Sequence, residues 1–125
     1  MDDTVRHALD RGGVIDITTT GRRTGRPRRL EIAYHNIDGR IIISGMPVAG
    51  RRRGWLYNVE ADPRVTIHLK RPVTADLDGT ARIVTDPAER RELLVHVARN
   101  WGRTDLDAMV EHSPLIEVTV PGYPA

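Results

Sequence analysis

The chain has no cysteine and no phenylalanine, and a single lysine, Lys70, in 125 residues. Without cysteine there is no disulfide framework, no thiol nucleophile and no thiolate metal site. No stretch approaches the ~20 consecutive apolar residues that a membrane helix needs, and no apolar core of a signal peptide follows Met1. A cytoplasmic protein without stable membrane insertion is the expectation. Of the five histidines (His7, His35, His68, His96 and His112), no two share a metal-ligand spacing, so no metal is expected. Ser44 and Ser113 lack the Gly-x-Ser-x-Gly context of a nucleophile elbow.

With one lysine, nearly all positive charge is arginine, and its placement is uneven. From Gly21 to Arg53 nine arginines stand against Glu31 and Asp38, a surplus of +7 on a chain whose net charge is +2. A basic patch on a nearly neutral protein implies an anionic partner. Nucleic acid is disfavoured, because the patch lacks the interleaved aromatics on which bases stack.

The order of elements is readable. Asp3 to Arg11 predicts a short helix closed by Gly12-Gly13, and the β-branched run Val14 to Thr20 predicts a strand. After the basic turn Gly21–Pro27, residues Arg28 to Asn36 alternate, with Leu30, Ile32 and Tyr34 on one face and Arg29, Glu31 and His35 on the other. Asp38-Gly39 signals a hairpin into the strand Arg40–Ser44. A second basic loop, Gly45–Arg53, leads into two helical turns from Trp55 to Ala61, stopped by Asp62-Pro63. Strands are predicted over Val65–Lys70 and Val73–Val84, the second bent or bulged at Gly79. Asp86-Pro87-Ala88-Glu89 predicts a helix start in which Asp caps and Glu reaches back. The stripe Leu93, Leu94, Val97, Ala98 and Trp101 follows, with His96 packing beside it. A shorter helix, Asp105–Glu111, and a strand, Pro114–Val120, close the chain. Six strands with hairpin connections define a mainly β (α+β) single domain over residues 1–125, an antiparallel barrel.

Two segments carry the chemistry. In Gly21-Arg22-Arg23-Thr24-Gly25-Arg26-Pro27-Arg28 the glycines permit a tight turn and the guanidinium forks match phosphate or carboxylate. It is not a Walker loop, for no Gly-Lys-Ser/Thr follows four spacers. Arg51-Arg52-Arg53 precede a helix whose first N–H groups favour an anion. Either segment alone also reads as a solvated turn, with Trp55 simply packing into the core. Composition and spacing lead no further than a barrel with an anion-binding rim.

Thr19 through Arg28, Asp38-Gly39, Ser44-Gly45 and Trp55-Leu-Tyr-Asn58-Val-Glu-Ala61-Asp-Pro63-Arg-Val65 occur in this order. By this succession, over Val14 to Val84, the chain resembles the deazaflavin-dependent nitroreductase family, whose members use coenzyme F420 in actinobacteria and their relatives. The resemblance implies a six-stranded antiparallel split β-barrel of the FMN-binding, pyridoxamine-oxidase type with short flanking helices. It implies an oxidoreductase that passes hydride from reduced F420 to a conjugated, small hydrophobic acceptor: a quinone, a nitro compound or an unsaturated ring. Carried over residue by residue, it implies cofactor contacts from Arg22, Arg23, Thr24, Arg28, Ser44, Gly45, Met46, Arg52, Arg53, Gly54, Trp55 and Asn58. No proton donor is identifiable: Ser44, Tyr34 and water are all open as the catalytic group. The loop Gly45–Gly54 departs from the family pattern, lacking its Lys-Gly-Gly start, and only Tyr123 stands where relatives carry acceptor-facing tyrosines. Alternatives are an FMN-dependent reductase and a non-catalytic barrel holding cofactor, fatty acid or haem. A homodimer suits this barrel type.

Overall fold

The computed structural model describes residues 1–124. They form α1 (Asp3–Arg11), β1 (Gly13–Thr20), β2 (Pro27–Ile37), β3 (Arg40–Ser44), α2 (Gly54–Ala61), β4 (Arg64–Leu69), β5 (Ala75–Ile83), α3 (Pro87–Trp101), α4 (Leu106–His112) and β6 (Leu115–Thr119). Every strand pairing is antiparallel, and the order β1-β2-β3-β6-β5-β4 closes through β4 on β1. The barrel and the helix positions match the expectation from sequence.

Alternation sets the two faces. Ile15 and Ile17, Tyr34, Ile41 and Ile43, Val65 and Ile67, and Ile116 and Val118 fill the barrel interior. A second core lies outside it, where Leu93, Leu94 and Val97 of α3 and Met109 of α4 pack with Ile37, Ile42 and Leu115. His35 therefore faces away from Tyr34, as its alternation requires, yet it is buried and lies edge-on to Trp101. Asp38 and Gly39 both take positive φ, the conformation a two-residue hairpin needs.

Two local expectations change. Gly79 makes no bulge, for the β4–β5 register runs unbroken through Val65↔Gly79. It is glycine because a Cβ there would come within 2.9 Å of Thr119 O and of Val118 Cγ1. At α3, Asp86 caps the Glu89 amide as expected, but the Glu89 side chain does not reach back. Its carboxylate instead accepts from Arg82 and Arg40, which also hold Glu117, tying the first turn of α3 to β3, β5 and β6.

That network makes acid the weak point of the fold. Hydrogen bonds from Arg82 and then Arg40 lower the Glu89 pKa from 4.5 to about 2, and Arg40 chiefly lowers that of Glu117. A carboxyl depressed in the folded state stabilises fully above its unfolded pKa, and the contribution fades as pH falls toward the folded value. Glu89 is 27% exposed, so solvent screening leaves a contribution on the order of 1–2 kcal/mol. The Tm difference between wild type and Glu89→Gln is expected to be widest near pH 6 and to close between pH 4.5 and about 2, measured by thermal melts across that range.

Candidate functional site

Both basic loops meet at α2. The first is a tight turn: the Gly21 amide donates to Arg26 O and the Gly25 amide to Gly21 O, both at 2.8 Å. A Cβ on Gly21 would stand 2.9 Å from Thr24 Oγ1 and 3.1 Å from Arg26 O, so a larger residue would have to shift the turn. Asn58 of α2 fastens this turn to the barrel. Its carbonyl accepts from the Arg22 amide at 3.0 Å, while its NH2 donates to buried Thr19 Oγ1 at 3.1 Å. Tyr57, the preceding residue, is flanked by the guanidinium groups of Arg22 and Arg52, 4.3 and 4.6 Å from the ring centroid. One arginine comes from each loop, so the aromatic ring is where they converge.

Around this junction the cavities form one trough. Its first part, about 450 Å³, is walled by residues of the Gly21–Arg28 turn with Gly54, Trp55 and Asn58. Gly54 and Trp55 are shared with a second part, also about 450 Å³, walled by Val48 and Arg51–Arg53. Those four residues in turn border a third part of about 490 Å³, which runs past Leu56 and Tyr57 to the α4–β6 turn.

Most arginines of the trough lack a carboxylate partner, although Glu111 borders its third part. Elsewhere on the molecule Arg29, Arg40, Arg64, Lys70, Arg82, Arg91 and Arg103 each meet a carboxylate, whereas among the described residues Arg11, Arg71 and Arg99 do not. In the trough only Arg52 does, through Glu60 at 3.1 Å. Arg53 donates to Met46 O at 2.6 Å, and among the described residues Arg23, Arg28 and Arg51 meet no acidic partner. Arg53 is also the N-cap of α2; its carbonyl accepts from the Leu56 amide at 3.1 Å, but its side chain has no acceptor atom, leaving the amides of Gly54 and Trp55 uncapped. Open amides, a glycine corner and uncompensated guanidinium groups fit a phosphorylated, polyanionic ligand.

Arg22, Arg23, Thr24, Arg28, Gly54, Trp55 and Asn58 thus border one part of the trough, and Arg52 and Arg53 the next. Trp55 does both things weighed for it, packing in the barrel core and walling the trough. Ser44, Gly45 and Met46 border none of its three parts. Ser44 is 1% exposed and donates its hydroxyl to Pro114 O at 2.7 Å, so that proton is already committed. Tyr34 does not reach the trough at all: it lies in the barrel interior at the α1 end and donates to Ala8 O. Desolvation raises its pKa, a further obstacle to proton exchange. Tyr57 escaped the sequence reading because a lone tyrosine on a short helix resembles packing; its signal was the position between Trp55 and Asn58.

One other constellation invites a chemical reading. Thr18 Oγ1 lies 2.6 Å from His68 Nε2, and His68 Nδ1 lies 2.7 Å from Asp76. The line has the order of a hydrolase triad, with Thr18 in the nucleophile's place. Thr18 pairs with Arg29 on one side and Thr66 on the other, which places its backbone inside the sheet ladder.

The fold is a split β-barrel, and the trough beside α2 is basic. The sequence profile of the F420H(2)-dependent quinone reductase family matches residues 2–121, and the chain belongs to that family. Coenzyme F420 is its cofactor, and F420H2-dependent reduction is its activity. Solved structures share the fold at low identity. A conserved protein of Mycobacterium tuberculosis is 20% identical over 98% of this chain and 82% of its own, with a TM-score of 0.76. An F420-H2 dependent reductase is 20% identical over 86% and 94%, with a TM-score of 0.66. A protein of Listeria innocua assigned as a pyridoxamine 5′-phosphate oxidase is 13% identical over 97% and 94%, with a TM-score of 0.69.

Proposed function

We propose that this reductase passes two electrons to a quinone or another conjugated carbonyl or nitro acceptor, and that the trough around α2 holds its cofactor. The unmatched arginines at the open N-terminus of α2 carry this reading. Arg51 and Arg53 with the first amides of α2 suit the phosphodiester; Arg22, Arg23 and Arg28 suit the oligoglutamate tail. Thr24 shapes their turn by accepting from the Arg26 amide at 3.2 Å. Reduced F420 supplies the hydride, and the protein supplies position and charge compensation. Ser44 serves indirectly, by fixing Pro114. Gly45 and Met46 shape the loop that brings Arg53 into place.

A carrier would cover the reactive ring, whereas a reductase has to admit an acceptor to within about 3–3.5 Å of it. Gly45, Pro47, Ala49 and Gly50 keep the adjoining loop low, which favours access. Met46 and Val48 stand exposed beside it, apolar surface that an acceptor or a second copy would cover. Among the described residues no helix is long and apolar enough to cross a membrane, and a cytoplasmic location belongs to the same proposal.

Oligoglutamylated F420 is expected to bind more tightly than flavin mononucleotide, because two basic loops exceed the needs of one phosphate. Fluorescence titration with both measures this. Menadione is expected to oxidise the protein-bound reduced cofactor faster than the free one, followed by absorbance in a single turnover. Equal or slower oxidation across quinones and nitroaromatics would instead identify a carrier.

A further inference from the structure

The outer face of the barrel carries three linked groups that reduction through F420 does not use. Ile15 and Ile17, Val65 and Ile67, and Leu77 belong to the interior, so alternation turns Thr18 of β1, His68 of β4 and Asp76 of β5 outward. The register sets His68 opposite Asp76 and one diagonal step from Thr18. His68 Nδ1 lies 2.7 Å from Asp76 Oδ1, and its Nε2 lies 2.6 Å from Thr18 Oγ1. A bond from Nδ1–H to the carboxylate fixes the tautomer and leaves the Nε2 lone pair facing the hydroxyl. His68 is buried, whereas Thr18 is only half-buried. The base is held in place, and the nucleophile stands at the surface.

Strand pairing occupies the backbone of Thr18 on both sides, so charge developing on an attacked carbonyl falls to a side chain. Arg29 is directly opposite Thr18 on β2. Asp16 holds it through Nε at 2.9 Å, and at 53% exposure its terminal amino groups are within reach of solvent and of a small ligand. We infer that Thr18 is an acyl-acceptor site, activated by His68, which takes the acyl group of small esters with good leaving groups. Thr18 borders no part of the trough, so reactivity of the donor has to stand in for a binding pocket. Thr18 Oγ1 attacks the acyl carbon while its proton passes to His68 Nε2. The bond from that carbon to the leaving oxygen then breaks, and the departing oxygen takes the proton from His68. One ester is consumed, one forms on Thr18, and an alcohol or phenol is released. Asp76 is a positioning residue.

The test is to treat cofactor-free protein with p-nitrophenyl acetate, follow release of the phenolate by absorbance, and locate the acetyl group by peptide mass spectrometry. A burst equal to the protein concentration is expected, with the acetyl group on Thr18. Thr18→Val is expected to abolish the burst. General-base catalysis contributes about 10²–10⁴-fold, so His68→Gln is expected to slow it at least about a hundredfold. Asp76→Asn alters an exposed position and is expected to slow it with the melting temperature nearly unchanged; it decides the matter if His68→Gln folds poorly. The wild-type burst is expected to be slower in D2O, an isotope effect that a purely structural histidine would not produce. Acetylation at Lys70 or Met1 with Thr18 unmodified would overturn the inference. So would a wild-type rate in Asp76→Asn and His68→Gln.

Discussion

Arg23→Ala combined with Arg28→Ala is expected to weaken binding of oligoglutamylated F420 at least a hundredfold while leaving the barrel folded. A charge-assisted contact to carboxylate or phosphate contributes about 1.5–3 kcal/mol when well formed, and each 1.4 kcal/mol is about tenfold in affinity. Neither arginine is tied to an acidic partner, so their loss costs the fold little: about 0.5 kcal/mol each way, or a few degrees in Tm. Arg22→Ala with Arg23→Ala also weakens binding, by at least about tenfold, but it is the less clean test. Arg22 stacks on Tyr57, so its removal also loosens the junction between the loops. Isothermal titration against F420, with melts of the same samples, checks the prediction. Unchanged affinity would mean that these arginines are solvated turn residues. Raising the salt concentration is expected to narrow the gap between wild type and variant, since exposed charge is screened.

Arg90→Ala is expected to damage the fold instead. The guanidinium of Arg90 bridges the end of β5 at Val84, the last turn of α4 at Met109 and Val110, and the approach to β6 at Ser113, with bonds of 2.6 to 3.3 Å. Truncation removes the donor from four carbonyls at once. Those partly reached by water recover; the buried ones do not. A net loss of about 3 kcal/mol follows, or roughly 10 °C in Tm. Arg90→Lys is expected to recover less than half of this, because one ammonium cannot reproduce the spread of a planar fork. Desolvation lowers the Arg90 pKa, so its charge is already held at a cost, and the carbonyls are what sustain it. Urea unfolding of the cofactor-free variants measures the loss.

How much was legible in the sequence follows from the range of each interaction. The Asp86-Pro87 start of α3 and the Asp38-Gly39 hairpin depend on neighbours within four residues, and both stand where their local chemistry puts them. Alternation in β2 separated Tyr34 from His35, but a period of two does not say what lies beyond each face. Tyr34 stands among the candidate proton donors, although its own alternation, shared with Leu30 and Ile32, places it in the interior. Two basic loops flanking one hairpin suggest convergence, but nothing local shows its agent. Arg22 and Arg52 meet only because α2 lies between them, thirty positions apart in the chain. Thr18, His68 and Asp76 left no signal, since they come from three different strands. Only the register of β1, β4 and β5 sets them side by side.

The closure of the sheet through β1 and β4 bears on how this protein meets its own copies. Every strand has a neighbour on both sides, but the pairings are partial: residues 27–33 of β2 pair with β1 alone and residues 75–79 of β5 with β4 alone, so each leaves a stretch of open edge. Two routes of association follow: strand pairing along those stretches, or side-chain packing, for which exposed Met46 and Val48 offer apolar surface. Closure also locks the pairing: shifting one strand by a residue would force all six to shift in step. Loops at the mouth are thus free to change in length and sequence without disturbing the register beneath them.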